Sequence, residues 1–208
     1  YRGYVLGNAR LADSLKVDLF CITTELDKFA LTRPAFWSQL ITDVRTIYKG
    51  KLTYAANWDR YDKLPFWDQL DYIGVDAYFP LADDETPSVK AMVRGWKKPV
   101  MELARLSATF QKPILFTEFG YRSCDHTAKK PWESETDCQP NLEAQTSAYI
   151  ALYEVLGSQP WFAGGFVWKW FMLEQHGPRE RDRFSPQGKP AEIALRQAWA
   201  KKRNAPKE

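Results

Sequence analysis

Hydrophobic and polar positions follow two periods along this chain, and the two periods alternate. Short apolar runs bounded by Gly, Pro or polar residues are typical of strands buried on both faces, whereas apolar residues recurring about every three to four positions are typical of helices. The short runs predict five strands, at 17–23, 51–58, 71–80, 114–116 and 162–171. The recurring positions predict helices at 1–16, 33–48, 88–110, 142–156 and 191–201, with the third of them broken at Pro99.

Strands that alternate with helices indicate βαβ units and a parallel sheet, so the predicted fold class is α/β. Five strands fit an open, doubly wound sheet, and they equally fit the last five units of an eight-stranded (β/α)8 TIM barrel. A nucleotide-binding sheet should carry a glycine-rich turn after its first strand, and no predicted strand here has one. The strand ends instead carry acidic and aromatic residues, namely Glu25, Trp58, Tyr78, Glu118 and Trp168. These residues favour the barrel, in which the carboxyl ends of the strands hold the chemistry.

The size and charge of the chain argue against several classes of protein. The chain has 208 residues, enough for one substantial core, and we expect a single domain over residues 1–208. No apolar run approaches the roughly 20 residues that span a bilayer, so no membrane is expected as a partner. The net charge of +3 is small and evenly spread, which argues against nucleic acid as a partner.

Aromatic residues make up 15% of the chain, including nine Trp, and part of that content belongs to the core. Several Trp and Tyr residues nevertheless fall at predicted strand ends, where a barrel binds its ligand. Flat rings suit the apolar faces of sugars, whose hydroxyl groups then pair with polar side chains. The aromatic content therefore points to a carbohydrate ligand as well as to a large core.

Three cysteines leave two alternatives open. Cys21 lies inside a predicted strand and is expected to behave as a small buried hydrophobic residue. Cys124 and Cys138 share one polar loop, where they can form a disulfide, and this would indicate an oxidising, extracytoplasmic compartment. Zinc binding is the other interpretation, with His126 nearby, although the usual ligand spacing is absent. Neither a metal nor a cofactor is expected.

Glu25 and Glu118 end two predicted strands, where a carboxylate serves chemistry better than packing. Glycoside hydrolysis needs two carboxyl groups that face each other across a sugar, about 5–5.5 Å apart in retaining enzymes and roughly 6.5–9.5 Å apart in inverting ones. The general acid needs a raised pKa and the nucleophile a low pKa, so their surroundings must differ. The plainer alternative is a pair of exposed glutamates that form ion pairs with Lys or Arg.

Five segments together resemble glycoside hydrolase family 113, and they are FCITTELD, LTYAANW, DYIGVDAYFPL, KPILFTEFGY and SPQGKPAE. The best-known members of this family are β-mannanases, which are retaining enzymes on a (β/α)8 barrel of clan A. The resemblance implies that Glu25 is the acid/base and Glu118 the nucleophile. It also implies that Tyr78 lies near the nucleophile, where a hydroxyl group can hydrogen-bond the carboxylate, orient it and keep it ionised. The alternative for Tyr78 is a half-buried strand residue without that role.

The resemblance extends to the residues that would bind the sugar. It suggests Trp168 as the floor under the sugar at the cleavage point, and Asn57 and Trp58 as substrate contacts at the end of their strand. Asn57 can bond a sugar hydroxyl or a loop backbone. Asp76 can bind sugar or brace Tyr78, and the sequence does not separate these two roles.

If the strand before Glu25 is the fourth of the barrel, the chain covers strands 4 to 8, and the first three βα units are absent. An N-terminal segment of the same polypeptide is then expected to complete the barrel. The sequence thus predicts an endo-β-1,4-mannanase-like enzyme that cleaves mannan or manno-oligosaccharides by double displacement. Two alternatives stay open: a carbohydrate-binding barrel without activity, and a glycosidase of the same clan that acts on another β-glycan.

Overall fold

The computed structural model describes residues 1–134, 138–172 and 183–203. Strands alternate with helices along these residues. The strands are β1 (Leu19–Thr24), β2 (Lys51–Asn57), β3 (Ile73–Asp76), β4 (Ile114–Phe119) and β5 (Phe162–Val167). The helices are α1 (Arg2–Ser14), α2 (Asp27–Thr32), α3 (Pro34–Ile47), α4 (Val89–Phe110), α5 (Leu142–Leu156) and α6 (Pro190–Arg203).

The five strands form one sheet in which each is the neighbour of the next along the chain, in the order β1-β2-β3-β4-β5. β1 pairs with β2 in parallel, beginning with Leu19 opposite Lys51, and β2 pairs with β3 in parallel as far as Asn57 opposite Asp76. Parallel neighbours need a crossover connection between them, which a helix usually supplies. The prediction of an α/β fold with a parallel sheet is confirmed, and the sheet is consistent with part of a TIM barrel.

Two compact units make up the chain. The first contains Tyr1–Ala77 and Ala104–Thr117, and the second contains Tyr78–Leu103 and Glu118–Glu208. α4 and β4 each contribute residues to both units. The single domain expected over residues 1–208 stays a prediction.

An aromatic cluster forms the core of the first unit beside β2. Trp37 of α3, Tyr54 of β2 and Phe66 are fully buried. The ring of Trp37 stacks on the ring of Phe66 with centroids 6.0 Å apart, and it meets the ring of Tyr54 edge-on at 5.5 Å. Such ring pairs add about 0.5–1.5 kcal/mol each to the burial of their surfaces. This cluster accounts for part of the aromatic content and fixes β2, whose last residue is Asn57.

In the second unit, α5 has the boundaries that the sequence predicts. The side chain of Asn141 caps its first turn by accepting a hydrogen bond from the N–H of Ala144 at 2.9 Å. An N-cap of this kind contributes about 1 kcal/mol. The ring of Tyr149 meets the ring of Tyr121 edge-on at 5.5 Å, which packs α5 against the residues that follow β4.

Two strands end earlier than their apolar runs predict. β3 ends at Asp76, because its register partner Asn57 is the last residue of β2, and Pro80 has no N–H to extend a ladder. β5 ends just before Trp168, whose N–H donates to the carbonyl oxygen of Phe119, the last residue of β4, at 2.7 Å. The apolar residues beyond both ends therefore lie outside the sheet, since the neighbouring strand has ended.

α4 is continuous through Pro99, so the predicted break there is wrong. A proline inside a helix removes one backbone hydrogen bond and costs roughly 3 kcal/mol. Met92, Trp96 and Leu103 are fully buried and share one helix face with Pro99, as their spacing of three and four residues requires. Burial of this face offsets the lost bond, and the helix continues.

Among the described residues, no helix combines the length and the apolar character that crossing a bilayer requires.

Candidate active site

Glu25 follows β1 at a point where that strand is irregular. Cys21 and Thr24 of β1 lie opposite Thr53 and Ala55 of β2, so β1 contains one residue more than its partner over this interval. A β-bulge of this kind twists the strand and re-aims the side chains that follow it. Beyond the bulge, the N–H of Glu25 donates to the carbonyl oxygen of Ala55 at 2.8 Å.

The backbone of Glu25 is in the left-handed region, with a φ of 52°. Lys16 and Gln111 have similar angles, but they follow the ends of α1 and α4, where a left-handed residue is common. A left-handed glutamate at the end of a strand is unusual, and such conformations cluster at active sites. The residue as a whole is exposed.

Asp27 holds the end of β2 in the same unit. Its buried carboxylate accepts hydrogen bonds from the hydroxyl of Tyr54 at 2.9 Å and from the N–H of Asn57 at 3.0 Å. Burial raises the pKa of Asp27, and these two hydrogen bonds act in the opposite direction. The side-chain oxygen of Asn57 is buried and has no hydrogen-bond partner among the described residues. Trp58 follows and is half-buried.

Tyr78 and Glu118 meet in the second unit. Glu118 is the next-to-last residue of β4, and the hydroxyl of Tyr78 donates a hydrogen bond to its Oε2 at 2.9 Å. Tyr78 is buried and Glu118 is half-buried. Desolvation raises the pKa of Glu118, while the hydrogen bond from Tyr78 lowers it, and the net shift is upward. The structure thus brings together two of the predicted site residues.

Asp76, the last residue of β3, is fully buried in the first unit. Its Oδ1 accepts a hydrogen bond from the hydroxyl of Thr117 at 2.7 Å, and Thr117 directly precedes Glu118 in the chain. This contact joins the end of β3 to β4. It favours a positioning role for Asp76 over direct contact with sugar, and both roles stay predictions.

Trp168 directly follows β5, and 44% of its surface is exposed. The peptide bond that joins it to Lys169 is cis. Its backbone approaches the residues after Glu118 closely, because its N–H bonds Phe119 and its carbonyl oxygen lies against Gly120. A Cβ atom at Gly120 would overlap that carbonyl oxygen, so only glycine fits there without a shift.

The predicted site residues fall in both units. Those of the first unit are Glu25, Asn57, Trp58 and Asp76, and those of the second are Tyr78, Glu118 and Trp168. Two further residues bond the backbone at or near predicted site residues, and the sequence patterns do not single them out: Asp27 bonds Asn57, and Gln187 bonds Phe171. The only sequence signal for Asp27 is that an acidic residue lies shortly after a predicted strand. Gln187, which bonds the backbone of Phe171, lies in SPQGKPAE, and no periodic pattern marks it.

Cys124 and Cys138 form a disulfide, which is one of the two alternatives that the sequence left open. Both sulfur atoms that zinc would need are used in this bond. Cys21 is a half-buried free thiol, and burial raises its pKa to about 11, which keeps it protonated at neutral pH. Within the described parts of the chain, no group of three or more His, Cys, Asp and Glu side chains is placed to hold a metal ion.

Comparison with known protein families assigns the chain to one family. The family model for Glycoside Hydrolase Family 113 matches residues 1–189, which include every predicted site residue. The chain belongs to glycoside hydrolase family 113. The resemblance drawn from five short segments is therefore confirmed over most of the sequence.

Solved structures agree with membership of family 113. The GH113 β-mannanase AaManA from Alicyclobacillus acidocaldarius, in complex with ManMIm, is 28% identical to this chain with a TM-score of 0.81. The structure of a GH113 β-1,4-mannanase is 25% identical with a TM-score of 0.83. In both cases 96% of this family 113 chain aligns with 61% of the other chain, so it spans less than two thirds of their length.

A more distant likeness concerns the fold alone. A β-glucuronidase from Faecalibacterium prausnitzii is 17% identical, with a TM-score of 0.63 over 94% of this family 113 chain and 35% of its own. Among curated protein sequences, the comparison found no match.

Proposed function

We propose that this family 113 chain belongs to a retaining glycoside hydrolase that cleaves β-1,4-linked mannan or manno-oligosaccharides. The observation that carries the proposal is the family match over residues 1–189, which spans both Glu25 and Glu118. The choice of mannan is supported by the two solved family 113 structures, which are described as β-mannanases.

In the first step, Glu118 attacks the anomeric carbon and forms a covalent glycosyl ester. Glu25 gives its proton to the glycosidic oxygen, so the bond to the leaving sugar breaks as that sugar departs with a neutral hydroxyl group. In the second step, Glu25 takes a proton from water. The resulting hydroxide attacks the anomeric carbon and releases Glu118, with net retention of configuration.

Tyr78 is proposed to keep the nucleophile Glu118 ionised and correctly oriented. Glu118 must be ionised to attack, yet its partly buried position raises its pKa. The hydrogen bond from Tyr78 opposes that effect and aims one carboxylate oxygen, leaving the other for the anomeric carbon. The hydrogen bond from Tyr78, which the family resemblance places beside the nucleophile, supports this role of Glu118.

Glu25 is proposed as the acid/base. It is exposed, so both water and a leaving sugar can reach it, and its backbone is held in an uncommon conformation after a β-bulge. The retaining mechanism requires the two carboxyl groups to face each other about 5–5.5 Å apart. A much larger separation would exclude it.

Asn57, Trp58 and Trp168 are proposed to bind the sugar. Asn57 is the last residue of β2 and is half-buried, and its side chain is proposed to bond a sugar hydroxyl. Trp168 is exposed enough for a ring face to contact a sugar, and it is proposed as the floor at the cleavage point.

The chain is proposed to supply strands 4 to 8 of a (β/α)8 barrel, with β1 as the fourth strand. Support comes from the parallel sheet in chain order and from the greater length of the related solved chains. A barrel has no free sheet edges, so three more strands would pair with β5 on one side and with β1 on the other. A structure of the full-length protein tests this directly.

An extracytoplasmic location is proposed on the basis of the Cys124–Cys138 disulfide, because such bonds persist mainly in oxidising compartments.

The function is tested by product analysis on mannohexaose and cellohexaose with the full-length natural protein. The proposal predicts cleavage of mannohexaose, and it predicts that Glu118→Gln lowers kcat by about 10⁴-fold or more. Glu154→Gln, at an exposed position of α5, serves as the control and should retain full activity. Sugar binding without any release of reducing ends would contradict the proposal and favour a carbohydrate-binding barrel.

A further inference from the structure

One glutamine side chain pairs with the backbone just beyond Trp168. The N–H of Phe171 donates to Oε1 of Gln187 at 2.7 Å, and Nε2 of Gln187 donates to the carbonyl oxygen of Phe171 at 3.0 Å. Gln187 is only 4% exposed, so water does not compete well for these two bonds. The side chain satisfies both backbone groups of Phe171, as a neighbouring strand would.

The residues around Gln187 are fixed in turn. The hydroxyl of Ser185, which is fully buried, donates to Oε1 of Gln187 at 3.3 Å and accepts from its N–H at 3.2 Å. Nζ of Lys189 donates to the carbonyl oxygen of Ser185 at 2.7 Å and to the hydroxyl of Ser123 at 3.2 Å. Ser123 follows β4 in the chain, so these bonds tie Gln187 to the segment that comes after Glu118.

The four residues 168–171 are therefore held at both ends. At the first end, the N–H of Trp168 bonds the carbonyl oxygen of Phe119 at 2.7 Å, and Gly120 allows the close approach. At the other end, Gln187 holds Phe171. Because the segment is so short, its backbone has little freedom, and the side chain of Trp168 starts from a fixed peptide plane.

We propose that Gln187 is a positioning residue for Trp168. It holds the backbone that carries the sugar floor without itself touching the sugar. This inference rests on the proposed function, in which Trp168 contacts the substrate. Without Gln187, residues 168–171 would exchange between several arrangements, and sugar binding would have to select one of them. We therefore expect a loss of affinity, with the chemical step largely unchanged.

The test compares kcat and KM for mannohexaose in the full-length protein and in four variants. Gln187→Met keeps the length of the side chain and removes both hydrogen bonds with Phe171, together with the one accepted from Ser185. Trp168→Ala removes the floor itself, and the double variant combines the two changes. Gln159→Met is the matched control, since Gln159 also donates to a backbone carbonyl in the same unit, that of Val155 at 3.1 Å.

Gln187→Met is expected to raise KM about tenfold with kcat within about twofold of the wild type, because lost uniform binding appears in KM. Gln159→Met should leave both constants unchanged. The double variant should be no worse than Trp168→Ala, because Gln187 acts only through Trp168.

Two results would overturn the inference in different ways. If Trp168→Ala raises KM while Gln187→Met does not, or if the two effects simply multiply, Gln187 does not position Trp168 and the proposed function is untouched. If Trp168→Ala leaves KM unchanged, the sugar floor itself is wrong, and the inference falls with that part of the proposed function.

A second variant and a spectroscopic measurement cover the case in which Gln187→Met does not fold. In Gln187→Glu the new side chain still accepts from Phe171, and it regains a donor only when protonated, so its KM relative to wild type should fall as the pH is lowered. In protein labelled with 5-fluorotryptophan, the fluorine resonance lost in Trp168→Phe should shift or broaden in Gln187→Glu and stay in place in Gln159→Met. A pH-independent KM ratio and an unmoved resonance would refute the inference.

Discussion

The hydroxyl of Tyr78 donates a hydrogen bond to Oε2 of Glu118 at 2.9 Å. This bond connects a residue that follows β3 with a carboxylate near the end of β4. Burial and this bond act on the pKa of Glu118 in opposite directions, with burial the larger cause. The hydrogen bond from Tyr78 therefore partly offsets the effect of burial on the ionisation of the proposed nucleophile.

Tyr78→Phe removes the hydrogen bond and leaves the packing of the ring. We expect the pKa of Glu118 to rise further, so the acid limb of the kcat/KM profile should move to higher pH, since this limb reports ionisation of the nucleophile in the free enzyme. A bond to a charged group is worth about 1.5–3 kcal/mol, so activity should fall by roughly 10- to 150-fold. The pH dependence of kcat/KM measures both effects.

Tyr153→Phe is the control for this experiment. The hydroxyl of Tyr153 accepts a hydrogen bond from the indole N–H of Trp199 at 2.7 Å, so this change also removes one bond from a tyrosine of the second unit. Its acid limb should match that of the wild type. An unmoved acid limb in Tyr78→Phe would show that Tyr78 does not control the nucleophile.

Glu25→Ala should abolish turnover of mannohexaose. Part of the activity should return with an activated substrate and added azide. The first step no longer needs an acid when the substrate carries an activated aryl leaving group, and azide can replace the base-activated water in the second step. We expect azide to accelerate the variant on an aryl mannoside and to yield a β-mannosyl azide. Rescue that produces the α-azide, or an equal azide effect in the wild type, would exclude Glu25 as the acid/base.

Asp27 should make stability depend on pH in a defined direction. Its folded pKa is raised by burial, so its contribution is fully present below the unfolded pKa of about 3.9 and is lost as the pH rises through the folded pKa. The stability of the wild type relative to Asp27→Asn should therefore decrease as the pH rises above about 4. Urea unfolding of both proteins across this range measures the difference.

Asp62→Asn, at an exposed position between β2 and β3, provides the baseline for that series. If the relative stability of Asp27→Asn does not depart from this baseline as the pH changes, the carboxylate of Asp27 is not desolvated in the folded protein.

Removal of the Cys124–Cys138 bond should destabilise the protein. The cysteines are 14 residues apart, and closing a loop of about that length contributes about 3 kcal/mol. The double variant Cys124→Ser with Cys138→Ser should unfold at lower denaturant concentration and lose its sensitivity to reductant. Cys21→Ser retains the bond, so its unfolding should still respond to reductant as the wild type does. Identical midpoints with and without reductant in the wild type would contradict this prediction.

Gly120→Ala places a methyl group against the carbonyl oxygen of Trp168, and a backbone atom cannot swing aside. We expect a loss of about 1–3 kcal/mol in stability together with a rise in KM, because the backbone under the proposed sugar floor must move. Gly7→Ala is the opposite case, since an added Cβ on α1 meets nothing within 4 Å. It should be neutral or slightly stabilising. Equal effects of the two changes would argue against a close contact at Gly120.

The regular elements were predictable wherever one local pattern determined them. α5 begins and ends where expected, because Asn141 caps its start and an apolar stripe runs to its end. The end of β3 was not predictable in this way, because the end of a strand depends on its neighbour, and β2 stops at Asn57. The break expected at Pro99 failed for a similar reason, since burial of the helix face outweighed a local rule.

Much of the candidate site could not be predicted from the sequence, because it depends on contacts between residues that are far apart in the chain. The position of Tyr78 near Glu118 was expected only through the resemblance to family 113, because the two residues are forty positions apart. The bond from Gln187 to Phe171 joins two segments without periodic structure, and neither segment predicts the other. The β-bulge before Glu25 depends likewise on the register with β2, which no single run of sequence specifies.

Trapping of the covalent intermediate tests the central claim most directly. The full-length protein would be incubated with 2-deoxy-2-fluoro-β-mannosyl fluoride, which forms the glycosyl ester quickly and releases it slowly, and the label would be located by peptide mass spectrometry. The account predicts one fluoromannosyl group on the tryptic peptide LSATFQKPILFTEFGYR, attached to Glu118, because trypsin does not cut between Lys112 and Pro113. A label on any other residue, or turnover of natural substrate with inversion and no label at all, would contradict it.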